Sequence, residues 1–419
     1  MVASGTVGMY NRMAIDMVFL EITVNRCFFI GGKRATNLSR VRFTHLCVLS
    51  TLLLSCIGYA EDGICLFDHE GDREHINRTI DQFMVKFKVP GLSIALSKDG
   101  ELMLSKGYGY ANREEHVPVT PSHRFRVASV AKPITSIAIM KLVEEGKLNL
   151  DDLVFGEQGI LAYEFHTTDP YVITVTVRHL LEHSAGREWS NSKNDPMFMK
   201  TGLNHTELIQ WVLDHRTLDR APGSSYAYSN FGYCVLGRVI EKVAGVPYSA
   251  FVKGLLAEHG ITSLAIATNE PAEMEVTYYA QQDRSPYSMP ISRMDSHGGW
   301  IATAEDLVRM IQRVDGRESS ADILTSSTIT VMTRPSSNTP HYASGWSVNE
   351  HDNWWHMGSL PGTASVIVRA HQNMCWAVLV NTRSQDKAFL SDLDALTWKV
   401  IRGVQTGPSQ VECAKTEDR

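Results

Sequence analysis

Cysteine is scarce in this chain, and the scarcity excludes two architectures at once. Of seven, Cys27, Cys47 and Cys56 fall in the first sixty residues. Cys65, Cys234, Cys375 and Cys413 remain, too sparse for a disulfide framework and too scattered for a zinc site. Cys234 and Cys375 lie in apolar helix and strand patterns and are expected as buried free thiols. Cys65 and Cys413 lie near the two ends and could pair in an oxidising compartment. His-Glu-x-x-His is absent, so no catalytic metal is expected and no cofactor is invoked. Gly-x-Ser-x-Gly is absent too, which disfavours an α/β-hydrolase. Internal repeats, low-complexity runs and interdomain linkers are also missing.

Positive charge is in short supply once the first sixty residues are set aside. The 419-residue chain carries 40 Lys/Arg and 46 Asp/Glu; six of the former and two of the latter fall in that opening stretch, leaving 34 against 44. No basic stripe survives, which argues against nucleic acid and anionic membrane surfaces as partners. Long apolar runs are lacking as well. Leu46 to Gly58 is an uncharged stretch of about a dozen residues, too short to span a bilayer comfortably. Arg40 and Arg42 precede it, and Gly58-Tyr59-Ala60 offers small residues at a cleavage site. This is the pattern of a secretory signal peptide. Residues 1–60 are therefore expected as a leader, with a translation start near Val41 accounting for the long stretch upstream. The mature chain is expected to be secreted or periplasmic, without a membrane span. Leu54 fits a lipoprotein box poorly, so lipidation is not expected.

What is present reads as an ordinary globular composition, with 43% hydrophobic and 21% charged residues. Ile76, Ile80, Phe83, Met84 and Phe87 recur at helical spacing up to Pro90-Gly91. Leu92, Ile94 and Leu96, then Leu102 and Leu104, alternate about Lys98-Asp99-Gly100, the pattern of a hairpin. Residues 151–290 read as helices and loops, with helices at Val177–His183, Glu207–Leu213, Phe231–Val243 and Ala250–Ala257. After Gly298-Gly299, Thr303-Ala304-Glu305-Asp306 has a capping-box signature and opens a helix through Val314. Strand patterns return at Ser344–Val348, Trp354–Met357, Ser365–Arg369 and Trp376–Asn381, and a last helix spans about Ala388 to Ile401. The fold class is thus α/β of the α+β type. An antiparallel sheet is assembled from 61–150 plus 291–403, flanked by helices, with a mostly helical insert at 151–290 and a loose tail at 404–419.

The chemistry centres on Ser129-Val130-Ala131-Lys132. Residues three apart on a helix share a face, which brings an amine to a hydroxyl. A serine hydroxyl is a weak nucleophile until a neighbouring base takes its proton. An amphipathic helix follows, with Ile134, Ile137, Ala138 and Met140 through Val143 as its buried stripe and Gly146 as its stop. Pro133 falls in the first turn, where it costs no intrahelical bond. Ser190-Asn191-Ser192-Lys193 repeats the spacing, but in a polar run ending at Asp195-Pro196 with no apolar stripe, so Ser190 is not expected to react.

Two more clusters join it. Gly223 through Gly232 contains Tyr228-Ser229-Asn230 before an apolar helix. A phenol acting as base needs cationic neighbours, which Lys132 could supply; Asn230 can donate to and accept from an amide. Taken alone, such residues commonly only cap and turn. Trp354 through Gly362 contains His356-Met357-Gly358-Ser359 on a strand running into a turn. Gly358 permits close approach of a ligand or backbone, and His356 places a titratable donor beside it. Alone, this is an edge strand with a satisfied histidine.

Together the three clusters resemble the serine β-lactamases and penicillin-binding peptidases, specifically their class C-like branch, over roughly residues 72 to 402. Leu180-Leu181-Glu182-His183-Ser184-Ala185-Gly186 and Gly298-Gly299-Trp300-Ile301-Ala302-Thr303 look like that branch's intermotif landmarks. The resemblance implies Ser129 as acylated nucleophile and Lys132 and Tyr228 sharing the proton transfers. It implies Asn230 on the substrate amide, and the Ser129 and Ser359 backbone N–H groups as oxyanion hole beside Gly358. His356 takes the place of a lysine in the family's third motif. Imidazole is only partly charged near neutrality, and Met357 removes a hydroxyl. Both changes disfavour antibiotic hydrolysis. A secreted serine hydrolase acting on ester or amide substrates, D-amino-acid peptides among them, is therefore expected. A β-lactamase, or a cell-wall or β-lactam sensor that acylates without turnover, is the alternative. A small molecule or peptide is the expected partner.

Overall fold

The computed structural model describes residues 63–404 except 68, 283 and 318–320. The expected leader, its start site and the tail with Cys413 lie outside the described residues. The strands are β1 (Ile64–Cys65), β2 (Gly91–Lys98), β3 (Glu101–Asn112), β4 (Val117–Pro118), β5 (Phe125–Arg126), β6 (Ala265–Ile266), β7 (Tyr279–Ala280), β8 (Trp300–Ala302), β9 (Ser347–Val348), β10 (Trp354–Leu360), β11 (Thr363–Ala370), β12 (Met374–Val380) and β13 (Thr382–Arg383). The helices are α1 (Glu70–Phe87), α2 (Ala131–Glu144), α3 (Val177–Leu181), α4 (Pro196–Met199), α5 (His205–His215), α6 (Asn230–Ala244), α7 (Tyr248–Ala257), α8 (Ala304–Gln312), α9 (Ser326–Thr333) and α10 (Phe389–Arg402).

The main sheet has the order β1-β3-β2-β12-β11-β10-β9, with β4 on β3, and its pairs are antiparallel. It therefore draws strands from both ends of the chain, as the sequence predicts. Asp99 (φ 52°) and Gly100 (φ 86°) both take the left-handed region. That is the turn whose twist matches a tight hairpin. The sheet is buried on both faces, and the alternation of β12 shows how. Cys375, Ala377 and Leu379 enter the core beneath α2 and α8, whereas Trp376, Val378 and Val380 enter the core under α1 and α10. Phe83 and Phe87 of α1 close the second core against Phe389 of α10, with ring centroids 5.9 and 5.3 Å apart.

Several boundaries differ from the sequence reading, each for a local reason. The expected strand at Ser344 begins only at Ser347, because Gly345 (φ 81°) turns the chain. β10 continues past Met357 to Leu360, so Gly358 and Ser359 lie in the strand, and the turn falls at Pro361-Gly362. Helix α3 stops at Leu181, two residues before His183, which itself has φ 56°. Thr303 caps α8 by accepting from the Asp306 N–H, but the Asp306 carboxylate accepts from the Thr262 and Ser263 N–H groups rather than closing a capping box. Helix α2 is not amphipathic: every residue from Ala131 to Met140 is buried. It runs between the sheet and the helical region, packed on α6, α7 and α9. β5, β8 and β6 form a small second sheet that the sequence reading omits; strands of two or three residues carry too little alternation to detect.

Candidate active site

The turn before α2 is clamped from several sides. The Val127 N–H donates to the Trp300 carbonyl at 2.9 Å, and the Ser365 hydroxyl donates to the Val127 carbonyl at 2.7 Å. Thr363 Oγ1 donates to the Arg126 carbonyl at 2.9 Å, and the Arg126 N–H to Tyr278 Oη at 2.8 Å. Ala128 then takes φ 48°. A side chain in that region costs about 1 kcal/mol or more, and such strain gathers at functional sites. The turn is a short 3-10 helix, Ala128–Val130, that leads directly into α2. It packs on β10 at Gly358, where an added Cβ would lie 2.3 Å from the Val127 carbonyl oxygen. The close approach expected of Gly358 is thus to backbone.

One turn on, Lys132 is fully buried. Its Nζ lies 3.1 Å from Ser129 Oγ, 2.7 Å from Asn230 Oδ1 and 3.0 Å from the His297 carbonyl oxygen. Burial lowers its pKa from 10.5 to about 7, with Asp195 opposing the shift. The amine is therefore partly unprotonated at neutral pH. The amide and carbonyl oxygens can only accept, so each takes an N–H. The remaining tetrahedral position faces Ser129, which is where the lone pair appears when the amine loses its proton.

Tyr228 completes the group. Its ring centroid lies 4.7 Å from Lys132 Nζ. Burial raises the phenol well above its usual pKa, a hydrogen bond with Ser129 partly offsetting this. Burial thus favours the protonated phenol beside Lys132. The loop around Tyr228 is pinned by the segment after α3. The Ala227 N–H donates to the His183 carbonyl at 2.7 Å, and the Ser229 N–H to His183 Nδ1 at 3.1 Å. Ser229 also caps α6 through the Gly232 N–H. The cluster therefore caps a helix and also brings Tyr228 and Asn230 to Lys132.

His356 behaves differently from the part-charged donor anticipated. It is buried, its pKa lowered to about 3 by burial and the Lys132 charge. Its Nδ1 donates to the Met357 carbonyl at 2.8 Å, leaving Nε2 to accept from Tyr342 Oη at 3.2 Å. Tyr342 Oη in turn accepts from His183 Nε2 at 3.1 Å, since Nδ1 of that ring is occupied by the Ser229 N–H. The result is an ordered chain of neutral groups behind Tyr228, whose ring lies 4.3 Å from that of His183. The structure brings Ser129, Lys132, Tyr228 and Asn230 together, with Gly358 and Ser359 on the opposite wall. His356 stands behind that wall. Ser190 instead donates to the Arg187 carbonyl at 2.6 Å.

The cleft over Ser129 has a volume of about 430 Å³. Ser129, Asn191, Tyr228, Asn230, His297 and Ser359 belong to its polar lining together with two arginines, Arg284 and Arg383, and Phe198, Met357, Leu360 and Leu390 give it an apolar side. Sequence reasoning missed Asp195, the His297 carbonyl and Tyr342. A backbone carbonyl leaves no mark in a sequence, and Asp195 lies in the run set aside as polar.

Sheet, helical insert and cleft together make up a β-lactamase/transpeptidase-like fold. A family model described as Beta-lactamase matches residues 76–397, and the chain belongs to that family. It is 27% identical over 326 residues to Protein flp of Staphylococcus aureus strain N315, covering 75% of this chain and 64% of that one. It is 30% identical over 249 residues to Esterase EstB of Burkholderia gladioli, covering 56% of this chain and 62% of that one. The chain thus spans less than two thirds of the length of either. Among solved structures, the octameric penicillin-binding protein homologue of Pyrococcus abyssi superposes with a TM-score of 0.65 at 27% identity, covering 78% of this chain and 77% of that one. The D-amino acid amidase of Ochrobactrum anthropi SV3 shares the fold, with a TM-score of 0.66 at 23% identity over 80% of this chain and 98% of that one.

Proposed function

We propose that this protein is a secreted serine hydrolase that turns over esters or amides, small D-amino-acid amides and peptides among them, through an acyl-enzyme on Ser129. The observation that carries the reading is a desolvated amine held 3.1 Å from the serine hydroxyl by two obligate acceptors. Lys132 takes the Ser129 proton as Oγ attacks the substrate carbonyl. The Ser129 and Ser359 N–H groups receive the developing oxyanion. Tyr228 keeps its proton at neutral pH and passes it to the departing alcohol or amine, regaining one from Lys132. Water then attacks the acyl carbon and gives a proton to Lys132, which returns it to Ser129 Oγ as the acyl–oxygen bond breaks and the acid leaves. Asn230 orients the substrate amide or ester beside Lys132.

A neutral His356 cannot itself be the cationic partner of a β-lactam carboxylate; Arg284 and Arg383 are the cations that line the cleft, so turnover assays, not His356, decide antibiotic hydrolysis. Secretion rests on the apolar run at Leu46 to Gly58, and among the described residues no helix is long and apolar enough to cross a membrane. Short p-nitrophenyl esters, D-alanine amide and a chromogenic cephalosporin, offered in parallel, test the reading. Turnover of the first two, lost in Ser129→Ala with the fold kept, is the expected result. Preferential cephalosporin turnover would establish a β-lactamase instead, and stoichiometric acylation without turnover a sensor.

A further inference from the structure

Asp195 lies on the far side of Asn230 from Lys132, buried at 8% exposure. Both its oxygens are used: Oδ1 accepts from the Met197 N–H at 2.9 Å and Oδ2 from Asn230 Nδ2 at 2.7 Å. The first contact caps α4, which needs one oxygen and no burial. The second fixes the Asn230 amide. An ionised carboxylate only accepts, so the NH2 must face Asp195 and Oδ1 must face Lys132. Reversed, the amide would set its NH2 against the amine and its carbonyl against a carboxylate. The Asn230 N–H is held separately, by Asn191 Oδ1 at 2.8 Å, so the backbone alone does not choose the amide's orientation.

We propose that Asp195 is a positioning residue for the hydrolase: acting through Asn230, it turns the lone pair of Lys132 toward Ser129. The inference rests on the acyl-enzyme reading above. It has a consequence in pH. Lys132 is faced by Tyr228 and Tyr233, whose rings lie within 5.6 Å of its Nζ, and by the His297 carbonyl. His183, His297 and His356 are all held neutral by burial. Burial raises the Asp195 carboxyl, opposed by its hydrogen bonds from Asn230 and Met197 and by the facing Lys132 and Arg216; where ionised, it is the carboxylate whose charge keeps the proton on Lys132 longer than burial alone would.

The test is the pH dependence of the rate at which a fluorophosphonate labels Ser129 in the full chain and in Asp195→Asn and Asp195→Glu. The amide of Asp195→Asn cannot accept from both Met197 and Asn230. Its plateau rate is expected to fall by about 10- to 100-fold, as when an orienting partner of a catalytic base is removed, and its acidic limb to move to lower pH. Asp195→Glu keeps the charge and displaces the oxygen, so its plateau falls about tenfold or more with the limb unmoved. An Asp195→Asn plateau within about threefold of the parent, or an unmoved limb, overturns the proposal. Should that variant lose its fold by circular dichroism, Asp195→Glu decides alone, and a plateau within the same threefold overturns it. In Asn230→Ala, adding Asp195→Asn is expected to change little; a further tenfold loss would show that Asp195 acts by another route. Failure of the parent to label is a different outcome and removes the acyl-enzyme reading itself.

Discussion

Replacing Lys132 by methionine should stabilise the protein near neutrality, at the cost of its chemistry. The side chain is fully buried, and its pKa falls from 10.5 free to about 7 folded. At 1.36 kcal/mol per pKa unit, burying the charge costs about 5 kcal/mol at and below pH 7. Methionine removes that cost but leaves Asn230 Oδ1 and the His297 carbonyl without their donor, at about 1–2 kcal/mol each. The net expectation is that Lys132→Met is more stable by about 1–3 kcal/mol between pH 6 and 7. The sign of the pH dependence follows from linkage. Between the folded and unfolded pKa values the unfolded chain binds more protons than the native one, so the parent gains stability as pH rises. The advantage of the variant should therefore shrink by about 1.4 kcal/mol per pH unit above 7 and reverse at about pH 8 to 9. Urea unfolding of both proteins at four pH values measures it. A variant less stable than the parent at pH 6, with no trend between pH 7 and 9, would show that the lysine is held as a charged structural group. The proposed base would then be lost.

Gly358→Ala would place a Cβ 2.3 Å from both the Val127 carbonyl oxygen and Ser365 Oγ, and 3.0 Å from Ala128 Cβ. Overpacking of this kind costs about 1–3 kcal/mol, and hydrolysis should fall with it because the nucleophile turn must shift; a melting temperature and activity both unchanged would refute the close packing. Tyr342→Phe strips the hydroxyl shared by His183 and His356, leaving two buried ring nitrogens unpaired, and should lower unfolding free energy by about 2 kcal/mol. Equal stability in urea would mean that the neutral chain contributes nothing.

The site was legible wherever chemistry and local geometry coincide. Ser129 and Lys132 are three apart on one turn, so a single helix fixes their approach, and Tyr228 and Asn230 stand out beside the cap of α6. The second spacing, Ser190 to Lys193, was set aside, and Ser190 donates to the Arg187 carbonyl. The same polar run nevertheless hid Asp195, because its burial comes from distant neighbours and not from any local apolar period. His356 was found by position but its state was not, since neutrality follows from burial and from Tyr342, fourteen residues away in the loop before β9. Helix α2 looked amphipathic because its polar residues, Thr135 and Ser136, are buried through side-chain donations to the carbonyls of Ser296 and Ser344. The long strands and terminal helices were visible from their periods, whereas β5, β6 and β8 are too short to have one.

The central claim is that Ser129 becomes covalently acylated with Lys132 as its base. Intact mass and peptide mapping after exposure to a fluorophosphonate, at pH values from 5 to 9, test it directly. One adduct per chain on the peptide carrying Ser129, forming faster as pH rises through about 7 and absent in Ser129→Ala, is the expected result. An adduct on another residue, or none at any pH in a folded protein, would contradict it.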